Sequence, residues 1–133
     1  MPLRAKEITT TSAKSTLASS SKTTILVTGA NRGIGKGLVE TLLARPDHVV
    51  IAAVRTPSSA EPLAQLPVAY SSRLVVAKID ATAAKELVGG DQPIDYLDVV
   101  IANAGVCNIW PKVADLQIKD MLDCLRPNVF GLA

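Results

Sequence analysis

Thr24-Ile25-Leu26-Val27-Thr28-Gly29-Ala30-Asn31-Arg32-Gly33-Ile34-Gly35 decides how this chain folds. Its first residues are an apolar, partly β-branched run, the pattern of a buried strand. Gly29, Gly33 and Gly35 follow with the spacing G-x-x-x-G-x-G. A glycine at a strand end permits a tight turn. Later glycines let the backbone approach a pyrophosphate and let a helix pack close to the strand. Behind them, Gly33–Ala44 has helical spacing, with Ile34, Leu38 and Leu42, joined by Val39 and Leu43, on the expected buried stripe. Strand, glycine turn and helix in that order aim free N–H groups and the positive end of a helix dipole at an anion. The stretch therefore reads as a dinucleotide-cradling loop. A glycine-rich turn with no ligand is the plainer alternative, and the strand and helix on either side argue against it. A P-loop fails on two counts. Gly37 follows Lys36 where a hydroxyl should meet magnesium, and Ala30 stands where that motif's first glycine belongs.

Outward from the loop, apolar runs alternate with helical patterns. Arg45-Pro46-Asp47 ends the first helix, and His48–Val54 is a continuous second strand. Pro57, Pro62 and Pro67 keep any following helix short. Arg73–Ile79 reads as a third strand, Ala81–Val88 as two helical turns closed by Gly89-Gly90, and Tyr96–Ala102 as a fourth strand. Leu116–Leu125 returns to helical spacing through Leu116, Met121, Leu122 and Leu125. This alternation predicts an α/β fold: a Rossmann-type, doubly wound parallel sheet of order 3-2-1-4. It occupies residues 23–133 as an incomplete dinucleotide-binding domain, truncated after about four strands. No internal repeat is visible.

Composition limits the alternatives. The 133 residues are 48% hydrophobic and 20% charged, the balance of a soluble globular domain. Only 3% are aromatic, so the core must be aliphatic, as in a sheet buried on both faces. A net charge of +2, with scattered Lys and Arg and no aromatic platform, gives no reason to expect nucleic acid. No apolar run reaches the roughly 20 residues that span a bilayer, and no membrane partner is expected. Cys107 and Cys124 fit no metal-ligand spacing and read as free thiols in a reducing compartment, so no metal is expected. Residues 1–22 are Ser/Thr-rich with Arg4, Lys6, Lys14, Lys22 and the single acid Glu7. They read as a disordered tail on a cytoplasmic protein, with a mitochondrial transit peptide as the minority alternative.

Cofactor choice turns on the end of the second strand. An acid about 20 residues past the loop would hold the ribose 2′-hydroxyl of NAD. This chain has Ala53-Val54-Arg55 there. Arg55 is placed to pair with a 2′-phosphate, and Arg32 in the loop stands beside it. The plainer reading of each is a solvated surface arginine. Two of them flanking one expected pocket favour NADP over NAD.

Thr28–Gly35 resembles the TGxxxGIG motif of the short-chain dehydrogenases/reductases, and Asn103-Ala104-Gly105 resembles their NAG motif. Asp80 matches the acid that family places near the adenine, and Asn128-Val129-Phe130-Gly131 is similar to the segment carrying its catalytic-tetrad Asn. More loosely, the loop and Leu116–Leu125 are similar to fungal ketoreductases of polyketide pathways. The resemblance implies that Gly29, Gly33, Ile34 and Gly35 hold the cofactor's pyrophosphate, and Asn31 and Arg32 of the same loop are expected to bind the cofactor with them. Asp80 would meet the adenine, and Asn103, Ala104 and Gly105 would shape the nicotinamide-ribose side. Asn128 would be the catalytic-site member that kinks its helix and holds a water. Asp80 as a cap for a helix beginning at Ala81, and Asn103-Ala104-Gly105 as an ordinary strand-ending turn, stay open.

Two positions depart from the family pattern. Ala102 replaces an Asn, and Pro127 precedes Asn128 inside an expected helix, where it removes a hydrogen bond and forces a bend. The family's proton donor is a Tyr with a Lys four residues on, assisted by a Ser. Here Tyr70 is followed four residues later by Leu74, and Tyr96 by Val100. His48 opens a buried strand and reads as core packing. The expected activity is therefore NADP(H) binding within a carbonyl/alcohol oxidoreductase family acting on small substrates, in a chain that does not itself turn over. A non-catalytic nucleotide-binding or dimerising module, or an inert truncated product, is the alternative. The unpaired fourth strand and the last helix predict a homo-oligomer through that helix.

Overall fold

A computed structural model describes residues 22–80, 94 and 96–132 of the chain. Most of the N-terminal tail, and the two helical turns expected over Ala81–Val88, lie outside the described residues. The sheet consists of β1 (Thr23–Thr28), β2 (His48–Val54), β3 (Arg73–Lys78) and β4 (Val99–Ile101). All pairings are parallel and the order is β3-β2-β1-β4, as the alternation of apolar runs predicts. Between strands lie helix α1 (Gly33–Leu43), a 3-10 turn (Pro57–Ala60) and the single-turn helix α2 (Glu61–Ala64). Beyond β4 come a 3-10 turn (Val113–Asp115), helix α3 (Ile118–Asn128) and a final 3-10 turn (Phe130–Leu132).

Parallel pairing with every second residue on one face sorts the core into two layers. Ile25, Val27, Val50, Ala52 and Val54 meet Val39 and Leu43 of α1 and Leu63 of α2. Leu26, Ile51 and Ala53 face the other way, with Val75, Ala77 and Ile79 packed beside them. The buried stripe of α1 therefore runs through Gly35, Val39 and Leu43, with Leu38 and Leu42 on its flanks. Ile34, expected on that stripe, is instead 77% exposed. A helix advances about 100° per residue, so a stripe centred on 35, 39 and 43 turns position 34 out of the contact.

Three further expectations shift. β4 is shorter than Tyr96–Ala102 because side chains close it at both ends. Asp98 donates its N–H to the Thr24 carbonyl (2.9 Å) while its carboxylate accepts the Thr24 N–H (2.7 Å). At the other end Asn103 donates its N–H to the Thr28 hydroxyl instead of a strand carbonyl. The last helix starts at Ile118, set by a capping box between Gln117 and Asp120, so Leu116 lies outside it. His48 is not core packing: it is half-buried, with Nδ1 at 2.6 Å from the Pro46 carbonyl.

Candidate cofactor-binding site

The parallel register sets Thr28 opposite Ala53, Val27 opposite Ile101, and Val54 opposite Lys78. Everything that follows these residues leaves from one end of the sheet. That end holds the Gly29–Arg32 loop, Arg55, Asp80 and the Asn103-Ala104-Gly105 turn. In sheets of this kind ligands bind where the strand order reverses, outside the carboxyl ends of the strands. Here the reversal lies between β1 and β4.

At that crevice two loops are interlocked. The Thr28 hydroxyl accepts the N–H of Asn103 (3.0 Å) and of Ala104 (2.9 Å). In return the Asn103 side chain donates to the Thr28 carbonyl at 3.0 Å and to the Gly29 carbonyl at 3.4 Å. Gly29 adopts φ +63°, and a Cβ there would lie 2.9 Å from the Ala104 Cα. A Cβ on Gly35 would lie 2.2 Å from the Gly29 carbonyl oxygen and 2.6 Å from the Asn103 amide nitrogen. These two glycines thus let the loop after β1, helix α1 and the turn after β4 occupy one small volume. Gly33 differs, with open space around the position of a Cβ. The Ala30 N–H, donated to the Ala53 carbonyl at 3.2 Å, ties the same loop to β2.

The N-terminus of α1 suits a pyrophosphate. Its first N–H groups have no acceptor within the helix, no side chain caps them, and no acid stands in the first turn. Arg32, Gly33 and Ile34 are exposed around that opening, and Asn31 is half-buried. Arg55 is exposed directly after β2, and Asp80 is half-buried past β3. The capping role considered for Asp80 involves Ala81, outside the described residues.

Asn128 reaches the opposite rim. Its Oδ1 accepts the Val106 N–H at 2.8 Å, and its Nδ2 donates to the Val106 carbonyl at 2.7 Å. The last turn of α3 is thereby fastened to the chain leaving Gly105. Pro127 lies inside that last turn, and the Val129 N–H still reaches the Leu125 carbonyl at 2.8 Å, so the ladder resumes past the proline. Among the described residues no group of three His, Cys, Asp or Glu side chains is arranged to hold a metal ion, and no helix is long and apolar enough to cross a membrane. Cys107 and Cys124 are both free.

The sequence model of the short chain dehydrogenases matches residues 23–133. The chain belongs to the short-chain dehydrogenase family. Among curated members, it is 39% identical over 113 residues to the short chain dehydrogenase gsfK of Penicillium aethiopicum, covering 81% of this chain and 45% of that protein. It is 40% identical over 121 residues to the norsolorinic acid ketoreductase nor1 of Dothistroma septosporum, covering 85% and 45% respectively. Among solved structures, the NADPH-bound carbonyl reductase from chicken fatty liver superposes with a TM-score of 0.61 at 25% identity, covering 86% of this chain and 46% of that one. A short-chain dehydrogenase/reductase from Saccharomyces cerevisiae gives 0.66 at 27% identity, with 83% and 44% covered. This short-chain dehydrogenase chain thus spans less than half the length of the relatives it matches.

Two side chains that hold β4 against β1 have no role in the reading of the sequence. Thr28 supplies the hydroxyl that ties β1 to the turn after β4, and Asp98 extends the same pairing at the far end of β4. The available signal was a hydroxyl ending an otherwise aliphatic strand, and a carboxylate just ahead of an apolar one.

Proposed function

We propose that residues 23–133 bind NADP(H) as the cofactor-holding portion of a short-chain reductase that interconverts a small carbonyl compound and its alcohol. In this reading the pyrophosphate lies over the uncapped N-terminus of α1, against the backbone of Gly29, Asn31, Arg32, Gly33, Ile34 and Gly35. Asp80 borders the adenine, and Asn103, Ala104 and Gly105 shape the nicotinamide-ribose side. Asn128 acts by fixing the Gly105–Val106 rim, since both ends of its amide are engaged there. The bound nicotinamide would supply the hydride.

The observation that carries the choice of NADP(H) is Arg55: an exposed guanidinium where a carboxylate would be needed to grip a 2′-hydroxyl. A 2′-phosphate gains a charge-assisted, bidentate partner there, and Arg32 adds a second cation at the same end of the sheet. Titrating the chain with NADPH and NADH by isothermal calorimetry tests this. NADPH should bind at least tenfold more tightly, and Arg55→Asp should remove or reverse that preference, a change of about 1.5–3 kcal/mol for a hydrogen bond to a charged group. Equal affinities before and after the substitution would reject the assignment.

A second reading, a nucleotide-binding module without turnover, rests on the sequence alone: neither Tyr70 nor Tyr96 has a Lys four residues on. Under it NADPH binds but is not consumed when carbonyl compounds are added. No binding of either dinucleotide would defeat both readings.

A further inference from the structure

Cys107 lies in the segment leaving Gly105, and Cys124 lies in α3. The Asn128 clamp joins the two segments, accepting the Val106 N–H at 2.8 Å and donating to the Val106 carbonyl at 2.7 Å. Cys107 follows Val106 directly, about 3.8 Å on from Cα to Cα. Cys124 precedes Asn128 by four residues, about 6 Å along the helix and on the same face. That face is the covered one. Asp120, Asp123, Cys124, Pro127 and Asn128 are half-buried, whereas Met121, Leu122, Leu125 and Arg126 are exposed. One clamp thus carries both thiols into the same neighbourhood, Cys107 exposed and Cys124 half-buried. The Cys107 thiol is engaged within its own loop, donating to the Ile109 carbonyl at 3.5 Å. Residues 102–112 form neither helix nor strand. Cys107 can therefore swing toward α3 without breaking a ladder or helix hydrogen bond, and a disulfide accepts Cα separations of about 4.4–6.8 Å.

We propose that Cys107 and Cys124 are a reversible dithiol–disulfide pair, which locks α3 to the rim of the crevice when the chain meets a small-molecule disulfide such as oxidised glutathione. The exposed Cys107 reacts first. Its thiol gives up a proton, and its sulfur attacks one sulfur of the oxidant, breaking the oxidant's S–S bond and releasing one glutathione thiol. The mixed disulfide left on Cys107 is then attacked by Cys124, which also gives up its proton and releases the second glutathione. The protein loses two hydrogen atoms, and the oxidant becomes two thiols. The new bond ties the same two segments that the Asn128 amide ties, with a covalent link in place of two hydrogen bonds. Reduction by a thiol reverses it. The pair does not depend on which dinucleotide the crevice holds.

The experiment treats the reduced full chain with oxidised glutathione at neutral pH and reads the products by intact mass and peptide mapping. A monomer lighter by two hydrogen atoms is expected, with no glutathione retained and Cys107 linked to Cys124. Cys124→Ser should hold one glutathione on Cys107. Cys107→Ser, left with the half-buried thiol, should react roughly tenfold more slowly. Any two cysteines at this spacing can close a loop in an unfolded chain, so the closure step is also timed in urea. Closure should be at least about tenfold faster in the folded chain, because the clamp raises the effective concentration of one thiol at the other. Asn128→Ala, with its fold verified by circular dichroism, should lose most of that advantage. In the oxidised chain, amide exchange at Val106 should slow by roughly tenfold. The proposal is overturned if the parent does not react, carries glutathione on both cysteines, or cross-links only between chains. It is overturned equally if closure is no faster folded than in urea, or if Asn128→Ala closes as fast as the parent.

Discussion

Gly35 and Gly37 lie two positions apart in α1 and should respond to alanine in opposite directions. A methyl group on Gly35 would meet the Gly29 carbonyl and the Asn103 amide, atoms that belong to backbone or are already hydrogen-bonded. Relief requires α1 to move off β1, so Gly35→Ala should cost about 3 kcal/mol, the upper range for overpacking. Nothing lies within 4 Å of a Cβ on Gly37, an exposed helical position. There alanine restricts the unfolded chain and should stabilise by about 0.5–1 kcal/mol. Urea denaturation followed by circular dichroism measures both, and a loss at Gly37 as large as that at Gly35 would contradict the packing argument. The glycine spacing alone makes this close approach readable. The Thr28 hydroxyl was not readable, because its two donors, Asn103 and Ala104, lie 75 and 76 positions away. Ile34 misled for a related reason: an apolar residue at helical spacing does not reveal which side of a glycine turn will be open.

Among the elements, α3 is attached differently from α1. None of its residues is buried, and Ile118, Met121, Leu122 and Leu125 are all exposed. Among the described residues, the hydrogen bonds that fasten it to the sheet end are the pair between Asn128 and Val106. Asn128→Ala should therefore loosen the Val106 segment while leaving β1 and β2 untouched. Each lost bond is worth about 1 kcal/mol, so amide exchange at Val106 should quicken by roughly tenfold or more, with β2 amides unaffected. Uniform acceleration across the sheet would mean that Asn128 supports the whole fold rather than this rim. Strand order was accessible from the sequence because apolar runs and crossover handedness leave few topologies. Element ends were not. β4 stops where the Asp98 carboxylate and the Thr28 hydroxyl substitute for ladder partners, and α3 starts where Gln117 and Asp120 cap it. All four act through side chains that periodicity does not register.

Across the molecule, burial is unevenly distributed. The fully buried side chains belong to β1, the loop after it, α1, β2 and the Pro57–Ala64 segment, and no described residue beyond Leu63 is among them. β4 closes one side of the sheet with only three paired residues, and Val99 and Val100 are 43% and 57% exposed. An apolar parallel edge of this kind is a template for pairing with another chain. A charge at such a position is the usual deterrent, because a second strand would have to desolvate it. Val100→Lys places one where more than half of the side chain already meets solvent, so the cost to the fold is small. At matched concentration, size-exclusion chromatography with light scattering should show the monomer fraction of Val100→Lys several-fold above that of the parent chain. The circular dichroism spectrum should be unchanged. If the parent is already monomeric and unfolds in one cooperative transition, β4 is not the sticky edge its exposure implies. If the substituted chain associates to the same extent, association runs through another surface, and the exposed side of α3 is the next candidate.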